Sequence, residues 1–157
     1  MDLVSKTITL VLIALLGSAL GQNIAQDGWV GVWKLNAAKS KSQGGPLPKS
    51  ITIRMDDLAG GVKVANDWVN SVDIPSHMEF SAKYDAKEVA VEGLPPGSTV
   101  ALTRIDALKL DVIQKSAGVT TTSHYVVARD GKTMTVNQTI TNVDGLKLNN
   151  VLVFDKQ

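Results

Sequence analysis

The adjacent pair Ser123 and His124 is the closest this sequence comes to a nucleophile beside a general base. The pair lies in VTTTSHYVV, which is predicted to be a strand. Neighbouring residues of a strand point to opposite faces, so His124 cannot activate the Ser123 hydroxyl. The sequence has no GxSxG, HExxH or paired-carboxylate pattern. We therefore expect no catalytic residue and no enzymatic activity.

A metal site would need several ligands at a regular spacing, and the nearest approach is His77 with Asp67 or Asp73. One histidine with scattered carboxylates lacks the spacing of zinc and calcium sites. The chain contains no cysteine, which excludes disulfides, thiolate metal sites and c-type haem attachment. We expect neither a metal nor a cofactor.

Arg104 is the one charged residue whose position suggests ligand chemistry. It follows Val100 and Leu102 in an alternating row. If that row faces inward, Arg104 is a buried cation that needs an anion, such as a ligand carboxylate. If the strand ends there, beside the turn that follows, Arg104 is solvated instead. The sequence leaves both interpretations open.

Other polar residues also break apolar rows. Gln138 and Asn150 each interrupt a row of aliphatic residues, and Tyr125 lies in a stretch with threonine on both faces. Such a mixture is typical of a partly wet cavity rather than a dry core. Trp68, in NDWVNSVDIPSHM, would place a ring at the rim of an opening. The candidate ligand-binding residues are Arg104, Tyr125, Gln138, Asn150 and Trp68.

Strands must position these side chains, because the dominant sequence period is two. In SITIRMDD, for example, Ile51, Ile53 and Met55 alternate with polar residues. Similar stretches predict about ten strands, at the spacing of about 8 to 12 residues found in all-β barrels and sandwiches. Turn signals such as DLAGG, LPPGS and RDGK separate them. The predicted fold is all-β: an up-and-down antiparallel meander, closed into a barrel of about 8 to 10 strands that leaves no exposed edge.

The longest connection between predicted strands is NAAKSKSQGGPLPK, residues 36–49. Residues 37–39 can form a helical turn capped by Asn36, but the glycines and prolines that follow prevent a longer helix. We predict an Ω-like loop lying across the mouth of the barrel.

The first 21 residues have the pattern of a secretory signal peptide, with Lys6 before the apolar run ITLVLIALLGSAL and small residues at the cleavage site. Residues 22–157 then form one domain, secreted or periplasmic, with no integral membrane span. The net charge is only +1, and no basic stripe is present, so nucleic acid is not an expected partner. The oligomeric state is not specified by the sequence.

The stretch GVW, from Gly31 to Trp33, resembles the GxW signature of the lipocalins and the wider calycin group, which includes the fatty-acid-binding proteins. A longer set of motifs, GVWKLNAAKSK, GPLPKSITI, AKYDAKEVAVEG, LTRID and DGKTMTVNQTITNVDG, is similar to small secreted bacterial proteins of lipocalin type, most of them uncharacterised. The second resemblance extends over nearly all of residues 22–157.

Two tryptophans, Trp29 and Trp33, lie four residues apart on the first predicted strand. They could form an aromatic wall for an apolar ligand or fill the base of the barrel, and the second role is commoner for large aromatic residues. The lipocalin resemblance implies that Trp33 plugs the closed end and that a basic side chain, Lys156 or Lys147, covers it. Gly31 and Trp33 are thus assigned as a structural signature.

Together these observations predict a secreted lipocalin-like binding protein for a small, largely apolar ligand, with Arg104 allowing an anionic one. The alternative is a structural or interaction barrel whose interior is filled by its own side chains and holds no small molecule. A contiguous interior void would favour the first interpretation.

Overall fold

The computed structural model describes residues 26–157, which form a single antiparallel sheet of eleven strands with no α-helix. The predicted signal peptide, residues 1–21, and the predicted domain start at residue 22 lie outside the described residues. The strands are β1 (Gly31–Leu35), β2 (Lys41–Ser42), β3 (Ser50–Leu58), β4 (Gly61–Val69), β5 (Pro75–Lys83), β6 (Val89–Ala90), β7 (Thr99–Asp106), β8 (Lys109–Ser116), β9 (Val119–Val127), β10 (Thr133–Thr141) and β11 (Lys147–Lys156).

The sheet rolls into a nearly closed barrel. From β3 to β5 and from β6 to β11, strands that follow one another in sequence pair with each other, and β1 joins these two halves by pairing with both β3 and β11. The far ends of the sheet, β5 and β6, meet at one isolated bridge between Glu79 and Glu92, with backbone N–H···O distances of 3.1 and 2.9 Å. The predicted all-β meander is confirmed.

Alternation along each strand produces the two faces of this barrel. On β3, Ile51, Ile53 and Met55 are buried, whereas Arg54 and Asp56, on the opposite face, are exposed. The same pattern on the other long strands gives an apolar interior and a polar exterior. The period of two that predicted the strands is therefore also the reason that they bury one common core.

The connection between β1 and β3 lies across one end of the barrel and contains the strand that the sequence does not predict. A 3-10 turn, Ala37–Lys39, begins at Asn36, whose side chain accepts a hydrogen bond from the Lys39 amide, as expected. The two-residue β2 then pairs with β11. It was missed because two residues are too few to show an alternating pattern.

Trp33 fills the opposite end of the barrel and is completely buried. Its indole N–H donates to the Trp29 carbonyl at 2.7 Å, and the Lys156 ammonium lies 5.1 Å from its ring centroid. Gly31 leaves room for Lys156 beside the Trp33 ring, because a Cβ at position 31 would stand 2.8 Å from Lys156 Cε. The basic cover over Trp33 is thus Lys156 and not Lys147.

Trp29 is buried beside Trp33 but lies in a turn before β1 rather than on the strand. Its indole donates to the Tyr84 hydroxyl at 3.2 Å, and the two rings meet edge to face. The Arg104 guanidinium lies 5.9 Å from the Trp29 ring centroid. Both tryptophans therefore belong to the closed end, each beneath a cation.

Within residues 26–157, no helix has the length and apolar character needed to cross a membrane.

Candidate ligand cavity

A cavity of about 450 Å³ occupies the barrel interior between the tryptophan-filled end and the β1–β3 loop. Its wall consists mainly of inward-facing aliphatic and aromatic side chains from the long strands, such as Ile53, Val64, Phe80 and Leu152. A volume between about 300 and 1,000 Å³ is typical of sites for small organic molecules. The interior is thus not filled by the protein's own side chains.

The mouth of the cavity is covered by the β1–β3 loop. Pro46, Leu47 and Pro48 line the cavity from this loop, so its outer wall is apolar. Gln43 fastens the loop to β11: its side-chain oxygen accepts from the Asn149 amide at 2.9 Å, and its own amide donates to Asn150 Oδ1 at 3.2 Å. The predicted loop across the mouth is present, and it is attached to the wall.

Three polar side chains form a row across the cavity wall, because Asn150, Gln138 and Ser123 are cross-strand neighbours on β11, β10 and β9. The Asn150 amide donates to Gln138 Oε1 at 3.2 Å, and the Gln138 amide donates to the Ser123 hydroxyl oxygen at 3.5 Å. In such a row each polar side chain has a hydrogen-bond partner, although the surrounding wall is apolar. Two predicted ligand residues, Gln138 and Asn150, therefore lie together in the cavity.

Tyr125 lies next to this polar row, two residues from Ser123 on the same face of β9 and closer to the filled end. The surface that its side chain leaves uncovered faces the cavity. Burial raises the pKa of Tyr125 to about 12, so its hydroxyl stays protonated. None of the described residues hydrogen-bonds to that hydroxyl. Tyr125 therefore presents an unused donor to the cavity.

Trp68, the remaining ligand candidate in the lining, lies one residue before the mouth-side end of β4. Two positions earlier on the same face is Asn66, whose Oδ1 is buried without a hydrogen-bond partner among the described residues. Sequence reasoning did not select Asn66 or Gln114, although both also line the cavity. The sequence does contain a signal for their inward position: Asn66 continues the apolar row Val62–Val64, and Gln114 continues the row Leu110–Val112.

Arg104 does not line the cavity, which corrects the anionic version of the ligand prediction. The register of β7 shifts between Arg104 and Asp106, and the Arg104 side chain turns to the outside of the filled end. There it donates to both carboxylate oxygens of Asp27, at 2.8 to 3.1 Å. This pairing with Asp27 raises the pKa of Arg104 above its ordinary value. Arg104 thus lies at the strand end and outside the cavity, but it is paired with Asp27 and not simply solvated.

Both histidines lie on the outer face of the barrel. His124 Nδ1 is 2.7 Å from Asp111 on the neighbouring strand, and His77 Nδ1 is 2.7 Å from Asp67. Ser123 faces inward and contacts Gln138, not His124. Among residues 26–157, no group of three or more potential metal ligands is assembled.

No protein-family model matches the chain, and no curated protein matches it either. Among solved structures, it is similar to the fluorescent protein UnaG, with a TM-score of 0.50 and 16% identity over 82% of this chain and 97% of that one. A mutant form of UnaG gives the same TM-score at 18% identity, over 83% and 96% of the two chains. Zebrafish ileal bile acid-binding protein, solved with cholic acid, has a TM-score of 0.47 and 10% identity over 83% and 99%.

At this identity, the likeness to UnaG is one of fold. It covers most of both chains, so the common feature is the complete barrel and not a local motif. This chain therefore shares the β-barrel fold of UnaG.

Proposed function

We propose that this protein is a secreted or periplasmic binding protein that holds a small, largely apolar molecule inside its barrel. The observation that supports the proposal best is the cavity of about 450 Å³, with an apolar wall and a few convergent polar groups. Sites for small molecules commonly have this composition, because apolar burial supplies affinity and a few polar groups fix the orientation. The alternative of a filled interior does not agree with such a void.

The interior favours binding without chemistry. The cavity wall within residues 26–157 contains no histidine, aspartate or glutamate, which are the usual general acids and bases. The two histidine–aspartate pairs lie on the opposite face of the sheet. We propose that the ligand leaves the barrel chemically unchanged.

Export is the second part of the proposal and depends on the leader pattern in residues 1–21. Expression of the full chain in a bacterium with an outer membrane tests it by the mass of the recovered protein. We expect a periplasmic species that begins near Gln22. A cytoplasmic species of full length would contradict export without affecting the binding proposal.

The binding proposal is tested by native mass spectrometry of protein purified from its own host. We expect a population heavier than the bare chain, whose excess mass is lost on denaturation. As a check on location, Ile140→Trp places a large ring in the cavity wall, and Ile113→Trp makes the same change on the exposed outer face. The extra mass should disappear only in the Ile140 variant.

If the folded wild-type protein carries no extra mass, and added 1-aminoanthracene gives no saturable fluorescence change, the binding proposal fails. Extra mass that survives Ile140→Trp in a folded protein would place the ligand elsewhere.

A further inference from the structure

The cavity is electrically neutral. The described residues that line it include no aspartate, glutamate, lysine, arginine or histidine. The only side chain there that titrates is Tyr125, whose hydroxyl remains protonated at neutral pH. A charged ligand group inside this wall would lose its hydration without gaining a counter-ion, which is strongly unfavourable.

Arg104 cannot provide the missing counter-ion. Its guanidinium already donates three hydrogen bonds to Asp27 at the outside of the filled end. It also lies above the Trp29 ring, 5.9 Å from the centroid. Reaching the cavity would require breaking the ion pair and leaving the Asp27 carboxylate, which is only 12% exposed, without its partner.

One free hydrogen-bond donor lies deep in the barrel, beyond Asn66 Oδ1 on β4, which also lacks a partner among the described residues. Tyr125 is two residues before the end of β9 that adjoins the filled base. Ser123 lies two residues nearer the mouth on the same face of β9. Its hydroxyl oxygen accepts only a long 3.5 Å contact from the Gln138 amide, so its own O–H is free to donate. The part of the β1–β3 loop that lines the cavity is mainly apolar, with Pro46, Leu47 and Pro48 beside Ser42 and Gly44. A ligand fits this polarity with its polar end inward and its apolar tail under the loop.

We infer that the ligand is an uncharged amphiphile that enters polar end first and places an acceptor oxygen, such as that of an alcohol or a carbonyl group, against the Tyr125 hydroxyl. This inference rests on the proposed binding function. It assigns the charge class of the ligand and the residue that recognises it. The Tyr125 hydroxyl donates to this oxygen. The Ser123 hydroxyl, on the same face of β9, is a second donor to the ligand.

Three probes that share one alkyl chain test the charge class: 1-decanol, decanoate and decylammonium. Each is measured at neutral pH by its displacement of 1-aminoanthracene from the purified protein. We expect 1-decanol to displace the dye at a concentration at least about tenfold lower than either ion, because only the ions lose charge solvation. Decanoate or decylammonium as effective as 1-decanol would overturn the inference while leaving the binding function intact.

Tyr125→Phe tests the recognition residue, and the only other tyrosine, Tyr84, supplies a matched control. Tyr84 contacts Trp29 and is not part of the cavity wall. Removal of the Tyr125 hydroxyl should weaken 1-decanol binding about three- to tenfold, as expected for one lost hydrogen bond. Tyr84→Phe should leave it unchanged. Equal effects from the two changes, or none from Tyr125→Phe, would overturn the assignment of Tyr125.

Gln114→Lys supplies the reverse test, since it adds one flexible cation to the cavity wall. The added charge should shift the preference from 1-decanol toward decanoate and further against decylammonium. If the dye binds to the folded variant and the order of the three probes stays as in the wild type, wall charge does not select the ligand. If neither dye nor any probe binds to the wild-type protein, the proposed function itself fails.

Discussion

The structure imposes two requirements on position 31, one on its backbone angle and one on the space beside its Cα, and only glycine meets both. Its φ of 135° lies in a region that side chains rarely adopt, and the space beside its Cα is occupied by Lys156. That lysine covers Trp33, so the glycine, the lysine and the tryptophan act as one unit at the filled end. The spacing in GxW thus reflects a packing requirement and not ligand contact.

The first prediction separates these requirements by comparing two glycines with the same backbone angle. Gly45 also has φ of 135°, but a Cβ there would meet nothing within 4 Å. Alanine at either position costs about 1 to 3 kcal/mol of backbone strain. Gly31→Ala should cost about 0.5 to 1 kcal/mol more than Gly45→Ala, because it also moves the flexible end of Lys156 away from the Trp33 ring. Urea unfolding of the two variants measures the difference.

In a Lys156→Ala background, Gly31→Ala should cost no more than Gly45→Ala, because no lysine is left to displace. An equal loss at Gly31 and Gly45 in the wild-type background would mean that Lys156 contributes nothing to the cost.

Tyr125 gives a second prediction at this scale, on stability at high pH. Its folded-state pKa is about 12, whereas an unfolded tyrosine has a pKa near 10.0. Between these values the unfolded chain releases the proton and the folded chain retains it, so stability falls as pH rises. The fall attributable to Tyr125 should approach about 1.4 kcal/mol per pH unit within this window. Unfolding curves measured at several pH values give the slope.

Tyr125→Phe should reduce that slope, and lysines that titrate in the same range affect both proteins alike. Burial also raises the pKa of Tyr84, so Tyr84→Phe should remove a separate part of the fall. A slope unaffected by Tyr125→Phe would contradict the deep placement of this phenol.

The elements follow from the sequence to different degrees. Long strands such as β3 and β10 were predictable because their alternation extends over enough residues to fix which face is buried. In the structure Tyr125, Gln138 and Asn150 all face inward, and for Gln138 and Asn150 the aliphatic rows around them indicate this face. Local pattern is sufficient for these features because strand geometry is itself local.

Arg104 shows where this reasoning stops. Its row begins inward with Val100 and Leu102, and extending the row would place a cation in the cavity. The register shift next to Arg104 and the pairing with Asp27, 77 residues away, redirect the side chain. Neither the shift nor a partner so distant in sequence is visible in a single alternating pattern.

The β1–β3 loop carries the third prediction. Gln43 joins this loop to β11 through the Asn149 amide. Gln43→Ala removes that contact, which is worth about 0.5 to 1.5 kcal/mol, so the bound dye should leave about two to ten times faster. Stopped-flow dissociation of 1-aminoanthracene measures the rate.

Lys39→Ala is the control for this change, since Lys39 is exposed in the same loop. It should leave the dissociation rate at the wild-type value. Equal rates for all three proteins would show that the loop does not limit ligand exit.

At the scale of the whole molecule, barrel closure is uneven. Nine residue pairs join β10 to β11, and eight join β10 to β9, whereas β5 is joined to the segment just after β6 by the isolated bridge between Glu79 and Glu92. A boundary with so few backbone hydrogen bonds opens at a lower free energy than the rest of the sheet. The backbone pairing is therefore continuous from β9 to β11 and sparse along the boundary between β5 and β6.

The fourth prediction concerns hydrogen exchange along that boundary. The amides of Glu79 and Glu92 should exchange faster than those of Val136 and Gln138, which lie in the centre of β10 between two complete neighbours. Amide exchange followed by NMR makes this comparison within one sample. Equal protection at the two places would mean that the barrel opens only by global unfolding.

The sparse backbone pairing beside β5, at the Glu79–Glu92 bridge and between the Ala86 amide and the Leu102 carbonyl, also determines how the barrel responds mechanically. A cylinder that is continuous around its circumference resists expansion, whereas one fastened at few points can widen there while the remaining strands keep their register. Met78 and Phe80, on the β5 side of this fastening, belong to the cavity wall, so widening would enlarge the ligand space directly. Under the proposed binding function, the width of the ligand would be adjustable, whereas Tyr125 would fix the depth of its oxygen atom.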